Sequence, residues 1–529
     1  MQGNRSGTCR FIAAVVLALL LAVTLGGSAL GASPRVKLGN EVLLEKFRPL
    51  VAGKRVGLVT NQTGVNGRGE SLIDILYHAG DINLVALYGP EHGIDGRAKA
   101  GEYVASYTHP RLKIPVYSLY GATRMPTPEM LAGIDVLVFD IQDIGARSYT
   151  YMSTLNYCLV AAQREGLPVL VLDRPNPLGG LTVEGPVMED RFISFVGVDN
   201  LPMAHGMTAG ELARFFNRKI GAELLVIPME GYSRDMIFQD TGLPFVQTSP
   251  NIPDLVSAFG YMATGLGEGT GVGQRDQFKW IGGTGIDSEK FASLLNRAGL
   301  AGVRFIPDPR GSSGGVKLEI TDYRTFNPAR TGLYALAYAK QLKKDFKVPK
   351  SGETIVMFDK IMGTATIGQY LEQNRSPQEI EASYQPQLEK FKREREKYLI
   401  YGSQPLQWPD LGKEIVVFVD GVPVIFDVAP HIDANDRTMV PVRAIAEALG
   451  AEVKWDGASR KVTIVRGGRE LVLTIDNPKA TINGKTFTMD TRPVIRQGRT
   501  MVPLRFVGEL LGVRTVDWDG RLRLVKIDN

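Results

Sequence analysis

Asn83-Leu84-Val85-Ala86-Leu87-Tyr88-Gly89-Pro90-Glu91-His92-Gly93 is the stretch on which the reading of this chain turns. Asn83 to Leu87 is a short apolar run, the pattern of a buried strand. Gly89-Pro90 ends it, because proline cannot supply the amide N–H that a strand interior needs. Glu91 and His92 are thereby placed on a turn at the strand's carboxyl end. In parallel α/β sheets ligands bind along that edge. A carboxylate beside an imidazole, fixed by glycine and proline, suits proton transfer. The plainer alternative is a solvated loop with two polar residues.

The same pattern recurs on both sides. Arg55–Thr60, Ile114–Leu119, Ile134–Asp140 and Leu167–Leu172 are further apolar strands. Helices are expected between them at Ser71–Ala79 and Tyr151–Glu165. Apolar, β-branched strands spaced by helices predict an α/β fold with a parallel, doubly wound sheet. Four of the five strand ends carry polar clusters: Asn61 and Gln62; Glu91 and His92; Asp140, Gln142, Asp143 and Arg147; Asp173, Arg174 and Asn176. The other ends at Tyr120-Gly121. Four polar clusters on one rim predict a pocket for a polar ligand. An arginine at a strand end more often pairs a structural aspartate, and Arg174 beside Asp173 fits that role too.

A second α/β segment follows. Thr208 and Glu211 have the spacing of a capping box, which gives Glu211 a structural role. His205, just before the cap, is a site candidate or a structural loop histidine. Leu224–Pro228 is another strand. Ser249-Pro-Asn-Ile-Pro253 supplies Asn251. The Gly-rich run Tyr261–Gly273 lacks the Gly-Lys-Ser/Thr of a P-loop. Nor does it open a first βαβ unit, as a dinucleotide site would. It reads as a turn that lets backbone, Glu268 and Thr270 approach a substrate closely. Arg275, Phe278 and Trp280 come next; an aromatic there stacks on a sugar ring or packs the core. Between 287 and 400, helices are expected at Ser288–Ala298 and Thr331–Lys344, and strands at Val303–Phe305 and Gly315–Thr321. Lys390–Tyr398 is a helix of mixed charge, hence a solvated face. Residues 403–412 read as a linker.

From Lys413 onward the chain repeats itself. Arg437-Thr-Met-Val-Pro-Val-Arg443 returns as Arg499-Thr-Met-Val-Pro-Leu-Arg505, and Trp455-Asp-Gly457 as Trp518-Asp-Gly520. Each unit is read as a hairpin, a short helix and a strand pair. Residues 413–529 hold no catalytic cluster and read as a small α+β packing and interaction domain.

Composition sets outer bounds. The 529 residues, 44% hydrophobic and 22% charged, describe a globular protein of several domains. The net charge of +5 is small and no Lys/Arg block is dense, so no nucleic acid partner is expected. Arg5 and Arg10, the apolar run Phe11–Leu25 and the small residues after it read as a signal peptide over 1–32, with an uncleaved anchor as the alternative. The expectation is a secreted or wall-associated bacterial protein. Cys9 precedes the apolar run, the wrong place for lipid attachment. Cys158 lies in an apolar run and reads as a packing residue. The five histidines show no metal-ligand spacing, so neither metal nor cofactor is expected.

Tyr88-Gly-Pro-Glu-His-Gly93, Asp140-Ile-Gln-Asp-Ile-Gly-Ala-Arg-Ser-Tyr-Thr-Tyr151, Asp173-Arg-Pro-Asn-Pro177 and Ser249-Pro-Asn-Ile-Pro253 together resemble the exo-β-N-acetylmuramidases of glycoside hydrolase family 171. The resemblance spans about 36–402. It implies a Rossmann-like domain (36–240), an auxiliary α/β domain (241–402) and a site in the cleft between them. It implies removal of N-acetylmuramic acid from the non-reducing end of peptidoglycan fragments, with Glu91 as the catalytic glutamate. Tyr149, within the second motif, joins the expected substrate-binding residues. Residues 413–529 resemble the stalk domain named after the copper amine oxidase N-terminus, which implies no copper here. The stalk is expected to meet a cell-wall or surface component.

Glycoside hydrolysis needs an acid for the leaving oxygen and a second group for the anomeric carbon. Glu91 is the expected acid, with His92 and Asp143 tuning or orienting it. The second group is Asp143, Glu268, or a water held by Asn or Gln; retaining and inverting arrangements both fit. Muramic acid carries a lactyl carboxylate, which suits an arginine fork. Arg147, Arg174 and Arg275 are the candidates. The rival readings are a non-catalytic muropeptide-binding protein and, more weakly, a metal-dependent hydrolase.

Overall fold

Six apolar runs line up side by side, all pointing the same way. The structure is a computed structural model that describes residues 35–529; the expected signal peptide, Cys9 included, lies outside the described residues. The first sheet has seven strands: β1 (Arg55–Thr60), β2 (Asn83–Gly89), β3 (Tyr107–Thr108), β4 (Pro115–Ser118), β5 (Val136–Asp140), β6 (Val169–Leu172) and β7 (Leu224–Ile227). Their order is β3-β4-β2-β1-β5-β6-β7. Only β3 runs antiparallel, as a short edge strand. The parallel strands alone follow the doubly wound Rossmann order. The switch point lies between β1 and β5, and the Glu91 strand is next to β1. The Leu224–Ile227 strand, read above as part of a second segment, closes the far edge of this first sheet.

Helices cover both faces, which is why the central strands are apolar throughout. Tyr151–Glu165 and Ala209–Ile220 pack one face, burying Leu155, Cys158, Leu159, Leu212, Phe215 and Phe216. Burial pushes the Cys158 thiol up, so it stays protonated as a packing residue. Gly39–Lys46 and Leu72–Tyr77 cover the other face. Thr208 and Glu211 form the expected capping box on helix Ala209–Ile220. Glu211 also accepts from the Ile400 amide at 2.8 Å and pairs with Arg234.

Four further strands form an antiparallel sheet: β8 (Gly273–Arg275), β9 (Trp280–Thr284), β10 (Val303–Pro307) and β11 (Ser313–Ile320), in the order β10-β11-β9-β8. Helices Leu255–Thr264, Ser288–Arg297 and Pro328–Leu342 pack with it. Leu255–Thr264 carries the start of the Gly-rich run, and Asp254 caps it by accepting from the Ser257 amide at 2.8 Å. The charged segment at 390–398 is the tail of a longer helix, Pro377–Arg395, capped by Ser376.

The C-terminal repeats interlock. Val416–Val419 runs parallel to Leu524–Asp528, so the first and last strands are neighbours. Repeat-equivalent strands Thr438–Pro441 and Arg499–Pro503 pair antiparallel, with Val440 opposite its counterpart Val502. Met439↔Pro503 and Pro441↔Met501 then mirror each other, the signature of a local two-fold. Residues 403–412 lack regular structure, but they are anchored. Trp408 and Leu411 are buried, and the Trp408 indole donates to the Met229 carbonyl at 2.8 Å. Phe418 meets Phe47 edge-on at 5.8 Å, and the Val226 amide of β7 donates to the Gly421 carbonyl at 2.7 Å.

Candidate active site

Glu91 stands on a tight turn at the carboxyl end of β2. The Gly93 amide donates back to the Pro90 carbonyl at 3.0 Å. His92 sits at φ 72°, while Glu91 stays at negative φ, the pattern of a type II turn. That conformation costs a non-glycine residue about 1 kcal/mol. Such backbone persists only where its surroundings hold it, and it clusters at functional sites. The Glu91 carboxylate, 8% exposed, is held at both oxygens. Oε1 accepts from the Gly101 amide at 2.9 Å, and Oε2 from the Thr150 hydroxyl at 2.5 Å.

The two histidines are fixed in opposite tautomers. His92 Nδ1 lies 2.7 Å from the Ala98 carbonyl, which can only accept, so Nδ1 carries the proton. Nε2 is then the lone-pair nitrogen. His205 Nδ1 accepts from the Met207 amide at 3.2 Å, so its proton is on Nε2, aimed at Asp143 Oδ2 at 3.2 Å. The Gly145 amide donates to the same Oδ2 at 2.9 Å. Asp143 Oδ1 is buried with no partner among the described residues, an uncompensated cost that marks the residue.

Tyrosines enclose this cluster. Tyr149 packs edge-on against Tyr151 at 4.8 Å and Tyr261 at 5.8 Å, and its hydroxyl bonds Thr248 Oγ1 at 2.8 Å. Burial raises Tyr120, Tyr151 and Tyr261 above the ordinary phenol range, and the Glu91 charge adds to it in all three. Tyr261 also feels Asp143. All stay neutral, and Tyr151 and Tyr261 donate to the Thr248 and Ser148 carbonyls. Gln62 donates to the Gln247 and Thr248 carbonyls at 2.8 and 2.9 Å, tying the segment before the Ser249–Pro253 motif to the β1 rim.

The other rim residues hold the frame. Asp140 and Arg174 form a buried ion pair at 2.6 Å, joined by Asn40, which donates to Asp140 at 3.0 Å. Arg174 thus pairs Asp140 through its side chain and touches Asp173 only through its backbone amide. Asp173 accepts from the Gly210 amide, the Thr208 and Tyr401 hydroxyls and the Arg174 amide. Burial nevertheless pushes its carboxyl up to about 7. Asn61 accepts from Thr63, Gln142 donates to the Asp143 and Pro175 carbonyls, and Asn176 donates to the Met207 carbonyl. Arg147 is buried. It donates to the Pro186, Leu201 and Ile361 carbonyls, and desolvation lowers it to about 9.

The remaining expected residues stand apart. Glu268 is exposed on the Gly-rich turn, and no hydrogen bond among the described residues joins it to the Glu91 cluster. The glycines there serve close packing: a Cβ on Gly267 would meet the Val272 carbonyl at 2.2 Å, and one on Gly269 would meet Pro349 at 2.8 Å. Thr270 is buried and bonds the Gly267 carbonyl at 2.7 Å. Asn251 is exposed on its turn. Arg275 is exposed, 5.1 Å from the Trp280 ring. Trp280 is core, and Phe278 packs on Tyr261 at 4.9 Å. Sequence reasoning missed Tyr120, Thr150 and Tyr261. Tyr120 ends the one strand whose rim carried no polar cluster, and Thr150 lies inside a quoted motif without a role.

A Rossmann-ordered sheet with carboxylates, imidazoles and neutral tyrosines gathered on its carboxyl rim defines an α/β enzyme of carboxylate chemistry. Residues 56–256 match the family model described as "Exo-beta-N-acetylmuramidase NamZ, N-terminal", and 259–401 the C-terminal model of the same family. Residues 418–527 match the copper amine oxidase N-terminal domain. The chain is 44% identical to "Peptidoglycan beta-N-acetylmuramidase NamZ" of Bacillus subtilis (strain 168), over 70% of this chain and 92% of that protein. A crystal structure of a DUF1343 family protein from Bacteroides fragilis NCTC 9343 superposes with a TM-score of 0.64 at 40% identity, covering 69% of this chain and 99% of that one. A second DUF1343 protein from the same strain gives 0.53 at 26% identity, covering 70% and 99%. The chain belongs to the NamZ exo-β-N-acetylmuramidase family and is a glycoside hydrolase.

Proposed function

We propose that this protein is an exported exo-β-N-acetylmuramidase. It removes N-acetylmuramic acid from the non-reducing end of peptidoglycan fragments, in wall turnover or recycling. The observation that carries the reading is Glu91 on its strained turn, with one oxygen held by an amide and the other by a hydroxyl. The Gly101 amide only donates, whereas the Thr150 hydroxyl can donate or accept, so Oε2 has the partner that suits either form of a carboxyl group.

In the proposed reaction Glu91 gives a proton to the glycosidic oxygen as the C1–O bond breaks, and a water oxygen forms the new bond to C1. The water's proton passes to the Asp143 carboxylate, oriented by His205 and Gly145. The neutral tyrosines wall the site without adding charge, with Tyr151 and Tyr261 donating to the Thr248 and Ser148 carbonyls. The interlocked repeats form a stalk that holds the enzyme to a wall or surface component. The N-terminal segment directs export.

Incubating the mature protein with a defined muramic-acid-capped glycan and weighing the products tests the reading. One N-acetylmuramic acid released per capped end supports it. Cleavage confined to interior bonds would replace it with an endo-acting enzyme.

A further inference from the structure

Resting on the muramidase reading, we infer that Arg124 is the residue that selects muramic acid, by forking its lactyl carboxylate. The three arginines expected from sequence have other positions. Arg147 is buried on carbonyls, Arg174 is paired with Asp140, and Arg275 lies on Trp280 in the second sheet. Arg124 is exposed in the loop after β4, and it bonds no carboxylate among the described residues. Two rings hold its guanidinium: Tyr120 at 4.9 Å and Phe195 at 4.5 Å from the ring centroids. Those rings lie 5.9 Å apart, and Tyr157 braces Phe195 from behind at 5.3 Å.

This platform belongs to the active site through Tyr120. Tyr120 and Glu91 stand just past the ends of the neighbouring strands β4 and β2, where the Leu119 amide donates to the Gly89 carbonyl at 2.8 Å. Contact with ring faces uses the flat face of a guanidinium and leaves its N–H edge to bind. A planar fork of N–H donors matches a carboxylate and has no use for a neutral sugar substituent. N-acetylglucosamine is the same sugar without the lactyl group. A cation one ring away from the catalytic acid is placed to tell the two apart.

The test uses the full chain and chromogenic β-glycosides of N-acetylmuramic acid and N-acetylglucosamine. Arg124→Ala should raise KM for the muramic substrate about ten- to a hundredfold, the value of a charge-assisted hydrogen bond. Its kcat should change less, and the glucosamine substrate should be unaffected. Arg124→Lys should recover part of the loss. The methyl ester of the lactyl group should reproduce the loss on wild-type protein, a readout that needs no variant to fold. An unchanged muramic-to-glucosamine ratio in Arg124→Ala, or an ester as good as the acid, would overturn the assignment while leaving the muramidase reading intact. A wild type that releases neither sugar would remove both.

Discussion

The Thr150 hydroxyl meets Glu91 Oε2 at 2.5 Å, and this contact joins two strand ends of the sheet. Glu91 follows β2, whereas Thr150 follows β5 and precedes helix Tyr151–Glu165. Glu91 is thus held by a residue about sixty positions away, on the far side of β1. Thr150→Val keeps the shape and removes the bond. It should lower kcat about ten- to a hundredfold with little change in KM, since the lost interaction acts on the proton donor. Steady-state kinetics check it, with melting temperature as the fold control.

Arg147 should behave as a structural residue. Its guanidinium spans Pro186, Leu201 and Ile361, three carbonyls from segments far apart in sequence. Arg147→Ala leaves them without that donor in a buried place, at a cost of about 2–5 kcal/mol. The expected outcome is a melting temperature lower by several degrees and equal loss on muramic and glucosamine substrates. Selective loss on the muramic substrate alone would return Arg147 to substrate recognition.

Asp173 gives a pH signature to stability. Burial raises its carboxyl to about 7 against an ordinary value of 3.8. Between those values the folded chain holds a proton that the unfolded chain releases. The contribution is therefore full below about pH 4 and is lost as pH rises through about 7. Melting temperature against pH should fall less steeply over that window in Asp173→Asn than in wild type. Parallel curves would assign the wild-type slope to other groups.

The stalk is predicted to stabilise the enzyme it is joined to. Phe418 packs on Phe47, Lys526 pairs with Glu223, and Gly421 extends the edge of β7. Phe418→Ala should cost about 3–5 kcal/mol, the range for a buried phenylalanine. Denaturant unfolding followed on the whole chain measures it. A cost below about 1 kcal/mol would mean that the two parts are stable independently.

Much of the frame was legible locally. β1 and helix Tyr151–Glu165 fall where hydrophobic period and turn residues placed them. Polar residues at strand ends pointed to the rim because parallel strands share one carboxyl edge. What could not be read was pairing across that rim. Arg174 stands beside Asp173 in sequence, yet its side chain reaches Asp140, because β5 and β6 are neighbours in the sheet. Arg147 follows the same motif as Asp143 but turns into the protein. Helix Leu255–Thr264 went unread because its last turn enters the glycine-rich run that begins at Tyr261; Gly260, before that run, packs where a Cβ would meet the Phe278 carbonyl at 2.1 Å. Tyr120 and Arg124 escaped notice because a tyrosine and a lone arginine carry no motif; only Phe195, contributed from another loop, makes them a platform.

The most direct test of the account is release of chromophore from a β-N-acetylmuramic acid glycoside by wild type and by Glu91→Gln. The account predicts turnover by wild type and a loss of several orders of magnitude in a variant that melts as wild type does. Turnover by Glu91→Gln at a wild-type rate would contradict it and move the acid elsewhere, to Asp143 first.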